Sequence, residues 1–210
     1  MFRDYFGMDF CFFLNCFFIY SFLGYIFECI VLSLQTRKLV LNRGFAHCPL
    51  CIIYGVGAFG VQYVIAPAAH GYLQLFIIGA VSATLLEIIT AGVMTRLFGS
   101  FWWDYHSRPF NYHGVICLES TVCWGVMAVA LVAFLHPVVV HIVDIYYIHY
   151  GKWLGMAAML CYGVDFTYCF YKALGRHRHG KDIRYEEAVF REELFKEEGV
   201  FEEDIFEEKV

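Results

Sequence analysis

Long apolar runs alternate with short polar segments along most of this chain. Five of these runs have about the 20 residues that an α-helix needs to cross a bilayer. They are Phe10–Leu34, Leu50–Ala68, Tyr72–Phe98, Val115–His136 and Trp153–Leu174. The pattern predicts an all-α, polytopic membrane helix bundle with about five transmembrane helices.

The polar segments define the rest of the organisation. Pro137–Tyr150 is too short to span a bilayer, so it is predicted to be an interfacial helix near 138–150 or a bent extension of the fourth span. Residues 1–175 form the predicted transmembrane domain. Residues 176–210 form a charged cytoplasmic tail rich in Glu, either a solvated extension or a short amphipathic helix.

The composition agrees with a membrane protein. The chain has 210 residues, of which 60% are hydrophobic and 20% aromatic, more than a soluble core of this size can bury. Its nine Cys lie mostly in or beside apolar runs, where Cys behaves as a small hydrophobe, so reduced thiols are expected. The lipid bilayer is the predicted surrounding, and no nucleic-acid partner is expected.

Lys and Arg are divided unequally between the two sides of a five-span bundle. One side holds Arg3 and Lys152, and the other holds nearly all remaining basic residues of the loops, including Arg37 and Arg96. Because basic loops stay in the cytoplasm, the chain is predicted to lie in the cell membrane with its N-terminus outside and its C-terminus cytoplasmic.

Two parts of the chain share a spacing pattern. Glu28 precedes Arg37 as Glu87 precedes Arg96, and Gly44 precedes Tyr54-Gly55 as Gly114 precedes Trp124-Gly125. The pattern predicts a tandem two-helix repeat plus a fifth helix, with a pseudo-twofold axis along the membrane normal.

Four acidic residues lie within the predicted spans: Glu28, Glu87, Glu119 and Asp165. An ionised side chain at the centre of a membrane helix costs about 3 kcal/mol on insertion scales. All four lie within about 15 Å of the cytoplasmic end of their helix, given the rise of an α-helix. We therefore expect one polar cavity, open to the cytoplasm. The alternative is that each acid bonds to a neighbouring helix and fixes packing.

Further polar residues are expected near these acids. Arg suits a carboxylate or an anionic substrate, although loop Arg residues also set topology. Asn42-Arg43-Gly44 and Asn111 to Gly114 are typical of sharp turns, or of re-entrant loops that enter the cavity. The predicted substrate-binding residues are Glu28, Asn42, Arg43, Glu87, Trp103, Asp104, Arg108, Asn111, Glu119 and Asp165.

Several motif matches are not assigned a function. The glycines from Gly55 to Gly60 fit a dinucleotide fingerprint only by letters, because no strand precedes them. Cys48 and Cys51 beside His47 form a single CxxC without a second pair of ligands. The sequence thus predicts no metal site and no cofactor, and no catalytic residue is assigned.

The chain resembles one family on a set of ordered motifs. These are NRGF…H…PLCIIYGVG from Asn42, LLE with RLFG from Leu85, WWDY from Trp102, RPFN from Arg108 and GVICLES…WG from Gly114. The family is the small multi-pass membrane proteins labelled putative ABC transporter permease, type IV or CmpB-like. The resemblance covers roughly residues 10 to 172.

The resemblance implies a transporter permease and a separate ATPase subunit as a candidate partner. The chain departs from the family pattern at Cys48, where Gly is favoured, and at Ile52, where Pro is favoured. It also has no EAA-type signature of the kind by which typical importer permeases engage their ATPase.

Three functions follow from these patterns. The first is a permease with a cytoplasmic polar cavity lined by intramembrane carboxylates, acting as a homo-oligomer or with partners. The second is a membrane enzyme acting on a lipid or lipid-linked substrate at the cytoplasmic interface, and the third is a non-catalytic assembly or regulatory protein. The intramembrane acids favour the permease over an enzyme.

Overall fold

The computed structural model describes residues 10–41, 44–101 and 103–198, with side chains described as far as residue 177. Two of the predicted binding residues, Asn42 and Arg43, lie outside these ranges, as does Trp102 of the WWDY motif.

The described chain is mostly helical. Two short strands, β1 (Asn111–Tyr112) and β2 (Ile116–Cys117), form an antiparallel hairpin in the loop before the fourth helix. The helices are α1 (Phe10–Thr36), α2 (Ile52–Ala68), α3 (Tyr72–Phe98), α4 (Leu118–Ala130), α5 (His136–Tyr146) and α6 (Lys152–Glu198). The last of these runs into the predicted tail without a break at residue 175.

Three helical stretches among the described residues are long and apolar enough to cross a membrane. They are Phe10–Thr36, Tyr72–Phe98 and Leu118–His177, and Ile52–Ala68 is a shorter apolar helix. The prediction of an all-helical membrane bundle is confirmed at this level, and α1 and α3 follow the first and third predicted runs closely. The number of five spans stays a prediction.

The helical stretch Leu118–His177 folds back on itself. As a straight rod, its 60 residues would be about 90 Å long. However, Ser120, near the start of this stretch, lies 3.5 Å from Glu87 of α3. The ring of Phe170, near its end, lies 5.6 Å from the ring of Phe98, which also belongs to α3. Both ends therefore pack against α3.

The reversal lies at a π-helical segment between α5 and α6, Tyr147–Gly151. Tyr146 before it donates a hydrogen bond to Asn15 Oδ1 at 2.9 Å, and Asn15 Nδ2 donates to the carbonyl of Gly151 at 2.8 Å. One side chain of α1 thus binds both flanks of the turn. The segment predicted near 138–150 is the helix α5, which continues α4, and its depth in the membrane stays a prediction.

Two other π-helical segments precede prolines. Gly60–Ile65 comes before Pro67 in α2, and Leu131–Leu135 comes before Pro137 at the start of α5. Proline has no N–H, and its ring clashes with the carbonyl four residues earlier. A π-turn widens the helix at that point and accommodates the ring while the chain remains helical.

Glycines allow the helices of each neighbouring pair to approach closely. A Cβ at Gly55 of α2 would lie 2.7 Å from the ring of Phe17 in α1, and a Cβ at Gly125 of α4 would lie 2.6 Å from the ring of Phe76 in α3. Without a Cβ, the helix backbone packs directly on each aromatic ring. The two helices of each pair therefore contact each other through a glycine that packs on a phenylalanine.

We predict that Gly55→Ala destabilises the protein by about 1–3 kcal/mol, because the added methyl overpacks the contact with Phe17 and Ser21. Gly57→Ala, in the same helix, is the matched control, since a Cβ there meets no atom within 4 Å. The measurement is thermal unfolding of the detergent-purified protein. Equal melting temperatures for the two variants would contradict the packing described here.

Candidate functional site

Glu87 of α3 is a buried carboxylate inside the bundle, with 4% of its surface exposed. Its Oε1 lies 3.3 Å from the hydroxyl of Tyr105, and its Oε2 lies 3.5 Å from the hydroxyl of Ser120 in the first turn of α4. The Tyr105 hydroxyl donates to the carboxylate, whereas the single Ser120 proton is shared between Glu87 and the carbonyl of Cys117, which lies 3.0 Å from the Ser120 oxygen. Two separate segments of the chain therefore supply the polar groups that a buried acid requires.

Glu28 of α1 has an equivalent donor on the neighbouring helix. The hydroxyl of Tyr54 in α2 donates to Glu28 Oε1 at 2.6 Å. The Tyr54 ring lies 5.4 Å from the indole ring of Trp124, which in turn lies beside Glu87. The contact between the Tyr54 and Trp124 rings thus connects the surroundings of the two carboxylates. We call Glu28 and Glu87 the carboxylate pair.

The loop between α3 and α4 positions Tyr105 through its own hydrogen bonds. Trp103 Nε1 donates to the carbonyl of Val115 at 2.8 Å, and the backbone N–H of Tyr105 donates to the carbonyl of Gly114 at 2.9 Å. These bonds fold the loop against the β hairpin. Burial, followed by the charge of nearby Glu87, raises the pKa of Tyr105, so its hydroxyl stays protonated and available to donate.

Asn111 closes the hairpin turn. Its Oδ1 accepts from the N–H of Gly114 at 3.2 Å, and its Nδ2 donates to the carbonyl of Arg108 at 2.7 Å. His113 and Gly114 have left-handed backbones with φ of 50° and 68°. Of the two predicted alternatives for this segment, these contacts favour turn chemistry over a re-entrant loop.

Asp104 forms an exposed pair with His106. Its Oδ1 accepts from the backbone N–H of His106 at 2.9 Å and lies 2.5 Å from His106 Nδ1. The backbone N–H, followed by the imidazole, lowers the pKa of Asp104 because both favour the ionised form. This pair closes a local turn on the loop surface.

Glu119 and Arg108 form an ion pair of their own, with 3.1 Å between Arg108 Nη1 and Glu119 Oε2. The Arg108 side chain is 34% exposed, and the Glu119 side chain is 61% exposed. Exposed pairs of this kind contribute only about 0–1 kcal/mol to stability. Glu119 therefore has a different environment from the carboxylate pair.

Asp165 of α6 binds the loop between α1 and α2. Its Oδ2 accepts from the backbone N–H of Cys48 at 2.7 Å, and its Oδ1 lies 2.8 Å from His47 Nδ1. The thiol of Cys169, one turn further along α6, lies 3.2 Å from the same His47 nitrogen. His47, Asp165 and Cys169 are called the loop cluster below.

The predicted site residues thus have several roles. The structure brings Glu28 and Glu87 together, uses Trp103, Asp104 and Asn111 to shape the loop, and gives Glu119 and Asp165 separate partners. A single cavity shared by all four acids stays a prediction. Sequence reasoning did not assign roles to the donors Tyr54, Tyr105 and Ser120 or to Trp124, although Tyr54 and Trp124 occupy matching positions of the repeat.

The family model described as Putative ABC-transporter type IV matches residues 15–170. No curated protein and no solved structure matches the chain.

We predict that Tyr54→Phe destabilises the protein by about 1.5–3 kcal/mol, because Glu28 loses a partly buried hydrogen bond while the aromatic ring remains. Tyr112→Phe, at an exposed tyrosine of the hairpin, is the matched control and should change stability little. Thermal unfolding in detergent measures both. Similar stability of the two variants would show that the Tyr54 hydroxyl does not stabilise Glu28.

Proposed function

The chain belongs to the putative ABC-transporter type IV family, and from this premise we propose that it is a membrane permease with a polar path along Glu28 and Glu87. The path is open to the cytoplasm and carries protons or a cationic solute. The chain works as a homo-oligomer or with a separate ATPase subunit.

The observation that carries the proposal is the carboxylate pair inside an apolar bundle. Charged groups at membrane depth are costly and typically mark pathways for ions or substrates. Tyr54 and Tyr105 each present a hydroxyl to one member of the pair, so a proton or cation has two acids and two hydroxyl oxygens for ligation. Two negative groups close together favour a positive species over an anion.

A repeated architecture supports the same proposal. Phe17 and Glu28 of α1 have the same spacing as Phe76 and Glu87 of α3. In the following helices, two sets of residues also share their spacing: Tyr54, Gly55 and Pro67, and Trp124, Gly125 and Pro137.

The equivalent residues make equivalent contacts. Each glycine packs on the phenylalanine of its own pair, and each proline follows a π-helical segment. We infer that α1–α2 and α3–α4 are two copies of one unit and that α6 is the additional fifth helix. Transport sites commonly lie between such repeats, and one member of the carboxylate pair belongs to each repeat.

We predict that Glu28→Gln and Glu87→Gln each reduce transport at least about tenfold, which corresponds to about 1.4 kcal/mol. Glutamine keeps the size of glutamate and one acceptor oxygen, but it carries no charge and its amide nitrogen only donates. Transport is measured in proteoliposomes. Currents are recorded on solid-supported membranes with a panel of cations, and the internal pH is followed under a proton gradient.

Asp144→Asn provides the matched control, because Asp144 is an exposed acid on α5 away from the pair. It should transport at the wild-type rate. If Glu87→Gln transports as well as Asp144→Asn and the wild type, the carboxylate pair does not form the path.

A further inference from the structure

The loop cluster brings together three side chains that commonly bind metals. One potential ligand atom from each of His47, Asp165 and Cys169 lies within 4.8 Å of the other two. Among the described residues, these three form a group of His, Cys and acidic side chains close enough to hold one metal ion. His47 belongs to the loop before α2, while Asp165 and Cys169 lie one turn apart on α6. From this arrangement we propose a binding site for a divalent transition-metal ion of the Zn²⁺ type.

The distances fit one face of a tetrahedral site. His47 Nδ1 lies 2.8 Å from Asp165 Oδ1 and 3.2 Å from Cys169 Sγ, and the thiol sulfur lies 3.7 Å from Asp165 Oδ1. Ligand atoms around a tetrahedral zinc ion are separated by about 3.3–3.6 Å, given the usual Zn–N, Zn–O and Zn–S bond lengths. Shifts of a few tenths of an ångström would therefore suffice for the three atoms to bind one ion.

The same geometry excludes a catalytic triad. In a Cys–His–Asp triad, the two ring nitrogens of the histidine contact different partners, one the acid and the other the nucleophile. Here a single nitrogen, His47 Nδ1, faces both Asp165 and Cys169. The three atoms converge on one point, which suits a cation and does not suit proton relay along a line.

The charges of the three side chains and the hydrogen bond to Asp165 also suit a metal. A carboxylate, a thiolate and a neutral imidazole together neutralise a doubly charged ion, which lowers the cost of holding it near the bilayer. The N–H of Cys48 binds Asp165 Oδ2 at 2.7 Å and so orients the other oxygen toward His47. When the metal binds, the Cys169 thiol loses its proton to solvent.

The site is open on one side. The His47 side chain is 65% exposed and that of Asp165 is 17% exposed, while Cys169 is buried. A metal can therefore enter from the loop side, and a water molecule can complete the fourth position, as in open zinc sites. Once bound, the ion would fasten the loop before α2 to α6.

Cobalt titration of the full-length protein in detergent tests the proposal, because thiolate-bound Co²⁺ absorbs in the near ultraviolet. We expect one Co²⁺ per chain with a thiolate charge-transfer band. The band should be lost in Cys169→Ser, and the affinity should fall at least about tenfold in His47→Gln. Cys123→Ser, which removes an exposed cysteine of α4, is the control and should retain the wild-type band.

A second measurement needs no variant and therefore does not depend on how well the variants fold. X-ray absorption of the Zn²⁺-loaded wild type should show one sulfur ligand, with nitrogen or oxygen in the other positions. Failure of the wild type to bind stoichiometrically, a coordination shell with no sulfur or with several, or an unchanged band in Cys169→Ser would each overturn the proposal.

Discussion

An acidic group inside an apolar helix bundle needs hydrogen-bond donors from its neighbours, and the central part of this structure satisfies that need twice. Glu28 receives the Tyr54 hydroxyl, and Glu87 is faced by the hydroxyls of Tyr105 and Ser120. Each set of donors comes from a segment next to the acid's own helix. The position of α2 on α1, and of α4 and its preceding loop on α3, is therefore tied to these bonds.

Close helix packing is the condition for such bonds. A phenolic hydroxyl reaches the carboxylate of an adjacent helix only if the backbones approach closely. Gly55 on Phe17 and Gly125 on Phe76 provide this approach in the two helix pairs. An aromatic residue directly precedes the glycine in the second helix of each pair: Tyr54 precedes Gly55, and Trp124 precedes Gly125. The small residue and the aromatic residue beside the acids thus act together.

The sequence predicted the parts of this arrangement that depend on local composition. Apolar length located α1 and α3, and the cost of buried charge singled out Glu28 and Glu87. It could not tell these acids from Glu119, because all three lie in or beside apolar runs. The difference arises only in three dimensions, where the first turn of α4 leaves Glu119 exposed beside Arg108 while Ser120 faces Glu87.

The loop cluster was beyond sequence reasoning for a similar reason. The CxxC at Cys48 and Cys51 directed attention to nearby residues, whereas the partners of His47 lie more than 100 positions away on α6. The prediction that the chain has no metal site followed from that local view. Only the fold-back of the helical stretch after α4 brings Asp165 and Cys169 to the loop.

The loop cluster and the carboxylate pair are also connected through the start of α2. Cys48 is held by Asp165, and the backbone N–H of Cys51 donates to the carbonyl of Ser21 in α1 at 3.0 Å. The helix begins at the next residue, Ile52. The bonds from Cys48 and Cys51 fix the entry to α2. Tyr54 follows in the first turn of α2. The contacts that anchor the loop to α6 therefore also determine the position of the Tyr54 hydroxyl that donates to Glu28.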